Sequence, residues 1–271
     1  MVENSILLRL IPLLPLGAAA IHGTVLALVR RESPRAFVIG LSCGAVILSF
    51  ALSCAAFVLL ITLPAGPRLL VDDVYTWIGA GRFFAEVSFA LDPISAVMIL
   101  VVTGVGSLIH IYSVGYMDDD HRDDKGFQRF FCYLNLFTFS MLVLVLADNL
   151  LLMFLGWEGV GLCSYLLIGF WYGDRFNAYC GAKAFIVNRI GDFAFLVGIF
   201  LIFWTLADAG AATVSFREIA ANFGIVAERT VAVPGWLGGE WRLVDLIGVC
   251  LFVGAVGKSA QLPLYVWLPD A

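Results

Sequence analysis

An all-α, polytopic transmembrane bundle of about seven helices, the last of them broken at a proline, is the fold class this sequence predicts. Three observations predict it. Apolar runs long enough as helices to cross roughly 30 Å of hydrocarbon recur along the chain. The composition is 61% hydrophobic and 14% charged with mean hydropathy +0.96, whereas a soluble domain carries about 25% charged residues. The runs are continuous rather than alternating, which excludes a closed barrel, the other architecture that satisfies every backbone group in lipid.

The first span is expected at residues 6–29. It contains Ala18-Ala19-Ala20, a small-residue stretch like a secretion-signal cleavage site, but apolar sequence continues to Val29 and Arg30-Arg31 then follows. A retained membrane anchor explains that order better than a cleaved signal. The remaining spans are expected at residues 36–63, 91–113, 130–147, 149–171, 181–204 and 243–268. Residues 64–90 mix Gly79 and Gly81 with Tyr75, Trp77, Phe83 and Phe84, a pattern that suits a short hairpin at the membrane interface, its aromatics at headgroup level. Asp118, Asp119, Asp120, Asp123 and Asp124 read as a solvated loop without the spacing or closing glutamate of a calcium-binding hand. Asp148-Asn149 joins two spans in a tight turn, and helix capping is the simplest role for Asp148.

Lysine and arginine set the orientation. With the N-terminus outside, the short inner loops hold Arg30, Arg31, Arg35, Arg122, Lys125, Arg129, Arg175 and Lys183, against Arg68, Arg82, Arg217, Arg229 and Arg242 in longer outer loops. A net charge of −5 gives no basic footprint for nucleic acid, so that partner class is excluded. The six cysteines form no C-x-x-C pair and read as small apolar residues, so no metal site is expected.

Ionisable residues inside the spans carry the functional argument, because a charge at the centre of a spanning helix costs about 2.5–3.5 kcal/mol unless a partner, water or a function compensates it. Glu158, in Gly156-Trp157-Glu158-Gly159, falls roughly 14 Å into its span at 1.5 Å per residue, and Lys258 roughly 22 Å into its own. Pro263 lacks an N–H and crowds the carbonyl of Ser259, so the helix should break beside Lys258 and expose carbonyls that hold water. Burial weakens a lysine's hold on its proton and a nearby carboxylate strengthens it. A changing Glu158–Lys258 distance would therefore switch the lysine between holding and releasing a proton. Arg189 and Asp192, three residues apart on one helix, share a face; a structural ion pair and a functional one are equally compatible with that spacing. Lys183 reads as an end-of-helix residue reaching inner headgroups, and His22 and His110 as packed or capping groups, with His110 also placed to serve a water path. Gly257-Lys258-Ser259 is not a phosphate-binding loop, because Phe252 stands where its first glycine belongs and no strand precedes it. No dinucleotide fingerprint occurs either.

These residues lie in stretches that resemble the antiporter-like subunits of proton-pumping NADH:quinone oxidoreductase, respiratory complex I, most closely its large distal type. The stretches are GWEGVGLCSYLLIGFW from Gly156, NRIGD from Asn188, GYM from Gly115, LDPIS from Leu91 and GAVGKSAQLPLYVWLPDA from Gly254. The resemblance implies the first part of an inverted-repeat antiporter-like fold, with N-terminal helices over residues 1–129 and an incomplete first repeat over 130–271. It implies that Glu158 and Lys258 are the proton-transfer pair of a half-channel and that Arg189 and Asp192 belong to a polar chain. It also implies proton translocation coupled to NADH–quinone electron transfer carried out by other subunits. NADH, FMN, iron–sulfur clusters and quinone would bind there and no cofactor here. Partners would be the other membrane-arm subunits and lipids, in a bacterial inner membrane or the mitochondrial inner membrane. Family members continue through further helices, so a fragment is expected. A subunit of a multi-subunit Na+/H+ antiporter or a membrane-bound hydrogenase is the alternative.

Overall fold

A computed structural model describes residues 2–29, 33–64, 68–118, 125–233 and 238–271. Arg30, Arg31, Asp119, Asp120, Arg122, Asp123 and Asp124, used above for anchoring, orientation and the acidic loop, lie outside the described residues. Among the described residues six helices are long and apolar enough to cross a membrane: α1 (Leu7–Leu28), α2 (Arg35–Thr62), α3 (Pro93–Tyr116), α4 (Gly126–Leu146), α5 (Leu150–Ile168) and α6 (Arg175–Asp208). Short helices α7 (Phe216–Ala221) and α8 (Phe223–Ala227) follow, and α9 (Leu243–Lys258) is the seventh apolar helix. The protein is therefore a multi-pass membrane protein with an all-α spanning architecture.

The spans differ from expectation where the helix outruns its apolar run. Helix α4 starts at Gly126 rather than 130, and α6 starts at Arg175 rather than 181. The Asp174 side chain accepts from Phe176 N and fixes the early start of α6, because an N-cap satisfies a donor that the helix itself cannot. Helix α9 stops at Lys258 rather than continuing to 268, and a 3-10 turn follows over Tyr265–Asp270.

The chain forms two compact units. The first contains α1 to α4, most of α5 and the base of the expected hairpin, which is a β-hairpin: β2 (Leu69–Ala80) and β3 (Phe83–Leu91). Gly81 has φ +61° in its two-residue loop, a backbone conformation that glycine adopts without a Cβ clash. Strand β1 (Val2–Asn4) pairs parallel with the start of β2. Leu70, Phe89 and Leu91 of the hairpin base join Leu8, Ile11, Leu60, Ile99, Leu142 and Leu146 in the main apolar cluster. The Arg9 guanidinium donates to the buried Asp72 carboxylate and ties α1 to this base.

The second unit contains the hairpin tip, the α4–α5 junction and residues 171–271. The Phe83 ring meets Phe203 edge-on at 5.1 Å, and Asn149 Nδ2 donates to Glu86 O at 2.8 Å. Asp148, expected as a cap, accepts from Arg217, whose Nη2 is 2.5 Å from Oδ2. Strands β4 (Thr230–Ala232) and β5 (Glu240–Arg242), with α7 and α8, fill a loop where no regular structure was expected; their few apolar residues lie below the threshold of a periodicity argument.

Candidate functional site

The second unit carries its site where α6 and α9 pack along each other. The approach is close because the contact positions are glycines. A Cβ on Gly191 would lie 3.1 Å from the Val253 carbonyl oxygen, and one on Gly254 would lie 2.8 Å from Phe195 Cβ. One on Gly198 would meet Leu251 Cδ2 at 2.9 Å. Small residues let spanning helices come together on backbone and van der Waals contact, since lipid supplies no hydrophobic drive between them.

That packing brings the end of α9 beside Asp192 on α6. Lys258 Nζ lies 3.8 Å from Asp192 Oδ2, and Arg189 Nη1 lies 3.7 Å from the same oxygen. These are ion-pair separations, longer than direct hydrogen bonds. Asp192 is 1% exposed. The Arg189 guanidinium also lies 4.5 Å above the Phe185 ring, a cation–π contact. Asn188, one turn before Asp192, donates from Nδ2 to Ala184 O at 2.8 Å, and its buried Oδ1 has no hydrogen-bond partner among the described residues.

The lysine stands at the last helical position because of how α9 ends. Gln261 N donates to Val256 O at 3.0 Å and Ala260 N to Gly257 O at 3.3 Å, with Ala260 at φ +49°. This pair of bonds around a left-handed residue is the Schellman cap, which glycine usually completes. It satisfies two carbonyls that the end of the helix would otherwise leave orphaned. Pro263 follows within three residues and forbids resumption of the helix. The ammonium of Lys258 therefore meets the negative end of the helix dipole as well as Asp192. Trp267 Nε1 donates back to Gly257 O at 3.1 Å, and Lys183 Nζ donates to Asp270 Oδ2 at 2.6 Å, so the turn beyond the break is tied to both helices. Lys183, expected to reach headgroups, instead makes this pair.

Glu158 belongs to the first unit, on α5, where it is half-buried between two glycines that admit α4. A Cβ on Gly156 would lie 2.5 Å from Leu144 N, and one on Gly159 would lie 2.7 Å from Ser140 Oγ. Of the four residues singled out in the sequence, Arg189, Asp192 and Lys258 come together. Asp192 as the neighbour of Lys258 was missed. The glycines on α6 and α9 were the available signal, since their spacing marks a close helix contact. Among the described residues no three of His, Cys, Asp and Glu converge to hold a metal ion.

Two family patterns match the chain: "NADH-Ubiquinone oxidoreductase (complex I), chain 5 N-terminus" over residues 77–131, and "NADH:quinone oxidoreductase/Mrp antiporter, TM" over residues 147–271. The chain belongs to this antiporter-like membrane-subunit family. A relative named NADH-quinone oxidoreductase subunit L, from Neisseria meningitidis, is 40% identical over 97% of this chain and 37% of its own length. NADH-ubiquinone oxidoreductase chain 5 of Chondrus crispus is 46% identical over 72% of this chain and 28% of its own. The chain thus spans about a third of the length of the relatives it matches. A solved chain of the Mrp complex from Dietzia sp. superposes on 97% of this chain and 25% of its own, with TM-score 0.70 at 24% identity, which shows the antiporter-like fold. The α6–α9 site lies within the family's matched region, as does Glu158.

Proposed function

We propose that the chain acts in the membrane arm of an H+-translocating NADH:quinone oxidoreductase, moving protons while other subunits carry electrons from NADH to quinone. The observation that carries this reading is an ammonium at the end of an apolar helix, 3.8 Å from a carboxylate that is 1% exposed. Such a pair is expensive to bury. Packing alone does not require it, and a proton carrier does. Lys258 holds its proton while Asp192 stands beside it and releases it when the pair opens. Arg189, which stays charged, balances Asp192 when Lys258 is neutral. Glu158 is a second proton-transfer group, on α5.

NADH, FMN, iron–sulfur clusters and quinone belong to other subunits, and this chain's work is proton transfer without redox chemistry. Its partners are the remaining membrane-arm subunits and lipid, in a bacterial inner or mitochondrial inner membrane. Residues 1–129 serve as the N-terminal helices and 130–271 as part of the first repeat. A second reading, a subunit of a Na+/H+ antiporter or membrane-bound hydrogenase, is supported by the shared fold, while the names of the relatives at 40% and 46% identity favour the first.

The test is quinone-coupled proton uptake by vesicles containing the full-length protein in its complex, at matched subunit content. Lys258→Ala and Lys258→Arg should both lose most of the uptake, because alanine carries no proton and guanidinium does not release one in the working range. Wild-type uptake by Lys258→Arg would leave the lysine a static counter-ion. Sodium uptake in place of proton uptake would select the second reading.

A further inference from the structure

Beyond Lys258 the chain stays on α6. The stretch from Ser259 to Asp270 turns back, and its 3-10 turn, Tyr265–Asp270, packs against that helix. The stretch is also folded onto the end of α9. Leu264 N donates to Gln261 O at 2.7 Å, a Cβ on Gly257 would lie 3.7 Å from Leu264 Cδ1, and Trp267 Nε1 donates to Gly257 O at 3.1 Å. Its far end reaches Lys183, whose Nζ lies 2.6 Å from Asp270 Oδ2. The stretch is therefore a strap, fastened to α6 at both ends by ion pairs of opposite sense. At one end α6 supplies the carboxylate of Asp192 and the strap begins at the ammonium of Lys258. At the other, α6 supplies the ammonium of Lys183 and the strap the carboxylate of Asp270.

The two fastenings are unequal. Lys183 and Asp270 form a direct, charge-assisted hydrogen bond, the stronger kind of contact, and both side chains are partly exposed. Lys258 and Asp192, at 3.8 Å, stand outside hydrogen-bond distance, and Asp192 is buried. Lys183 precedes Asp192 by nine residues on one continuous helix, about 14 Å along its axis. The spacing between the two anchor points on α6 is thus set by the helix itself. The bond from the Trp267 indole to the Gly257 carbonyl carries the position of the strap to the residue next to Lys258.

We propose that the Lys183–Asp270 pair is a latch that, through Trp267 and Gly257, holds Lys258 at Asp192, and that, resting on the reading of Lys258 as a proton carrier, it sets when that ammonium is free to part from the carboxylate. With the latch closed, the strap lies on α6 and the Lys258–Asp192 pair stays within reach. With it open, the strap and Gly257 draw away and the pair lengthens. Lys183 and Asp270 are positioning residues, since neither touches the proton that moves.

The test uses the full-length protein in its assembled complex, at matched subunit content. Asp270→Asn and Lys183→Met each remove one side of the latch. In high-resolution maps of these variants Lys258 Nζ should stand beyond about 4 Å from Asp192, the reach of an ion pair, and quinone-coupled proton uptake should be mostly lost. Asp270→Glu, which keeps a carboxylate, should retain both the separation and the uptake, and the exchange of Lys183→Asp with Asp270→Lys should restore both. An unchanged Lys258–Asp192 separation in the single variants would overturn the latch, as would an assembled exchange variant with the lysine still displaced. Trp267→Phe keeps both charges but cuts the link to Gly257, so it decides the matter if the single variants fail to assemble: Lys258 should again draw away, and an unchanged separation would overturn the coupling. Full uptake with the lysine displaced would overturn the carrier reading and the timing role with it, whereas loss of uptake in Lys258→Arg with no movement in the latch variants would overturn the latch alone.

Discussion

Between α1 and α4 the protein buries serines, threonines, a glutamine, an asparagine and two histidines, neutral groups that hydrogen-bond to helix carbonyls or to one another. Between α6 and α9 it buries a carboxylate and brings two cations to it. Several serine and threonine hydroxyls donate to the carbonyl a turn back, as Thr103 does to Ile99 and Ser107 to Thr103, and so are satisfied within one helix, whereas Ser49 donates across to Ile11 O and His22 meets Ser42. The buried Asp192 is met from its own helix by Arg189, three residues back, and from α9 by Lys258, and the glycines of α6 and α9 allow that second approach. Many of the neutral groups are settled within one helix, whereas the buried carboxylate draws on two.

The comparison can be broken most forcefully at Asp192. Asp192→Leu leaves cations beside an apolar wall and should cost about 3–5 kcal/mol, read as thermal unfolding of the full-length protein in detergent. Adding Lys258→Met should recover much of that loss; independent, additive losses would show that the two residues do not act on each other. Next comes the packing that places these groups. Gly156→Ala drives a methyl into the Leu144 backbone and should cost about 1–3 kcal/mol, while Gly40→Ala, with no atom within 4 Å of the new Cβ, should be neutral or slightly stabilising. A similar loss at both positions would mean that helix propensity, not contact, governs them. Ser42→Ala removes one partner of His22 and should cost only about 1 kcal/mol. A loss as large as that of Asp192→Leu would place His22 among the charged groups. The smallest effect is a gain: Ala260→Gly relieves a left-handed conformation at the end of α9 and should stabilise by up to about 1 kcal/mol.

Hydropathy located all seven apolar helices in the sequence, because lipid imposes one long apolar stretch on each. It missed where they start and stop. The first turns of α6, with Arg175, Asn177 and Lys183, are too polar to register as membrane yet are helical from an aspartate cap onward. The break after Lys258 was legible from Pro263, since proline acts on its own chain. The neighbour of Lys258 was not legible, because depth along a helix places a residue in height but not in azimuth. Asp192 and Glu158 both lie at depths compatible with the lysine. Only the glycines at 191, 198, 254 and 257 carry azimuthal information, and they do so as a pattern shared by two distant segments. Asn135 and Gln128 escaped notice for a related reason: a lone amide in an apolar run looks like tolerated noise until its neighbours are known.

Helix α9 has 16 residues, about 24 Å at 1.5 Å per residue, shorter than the roughly 30 Å of hydrocarbon it enters. It also ends on a lysine. A nascent chain emerging from the ribosome would gain little by placing such a segment in lipid alone. The segment becomes a favourable insertion only when α6 is already seated, offering glycines to lie against and an aspartate to receive the ammonium. The order of synthesis supplies α6 first, so the chain builds its receptor before the piece that docks on it.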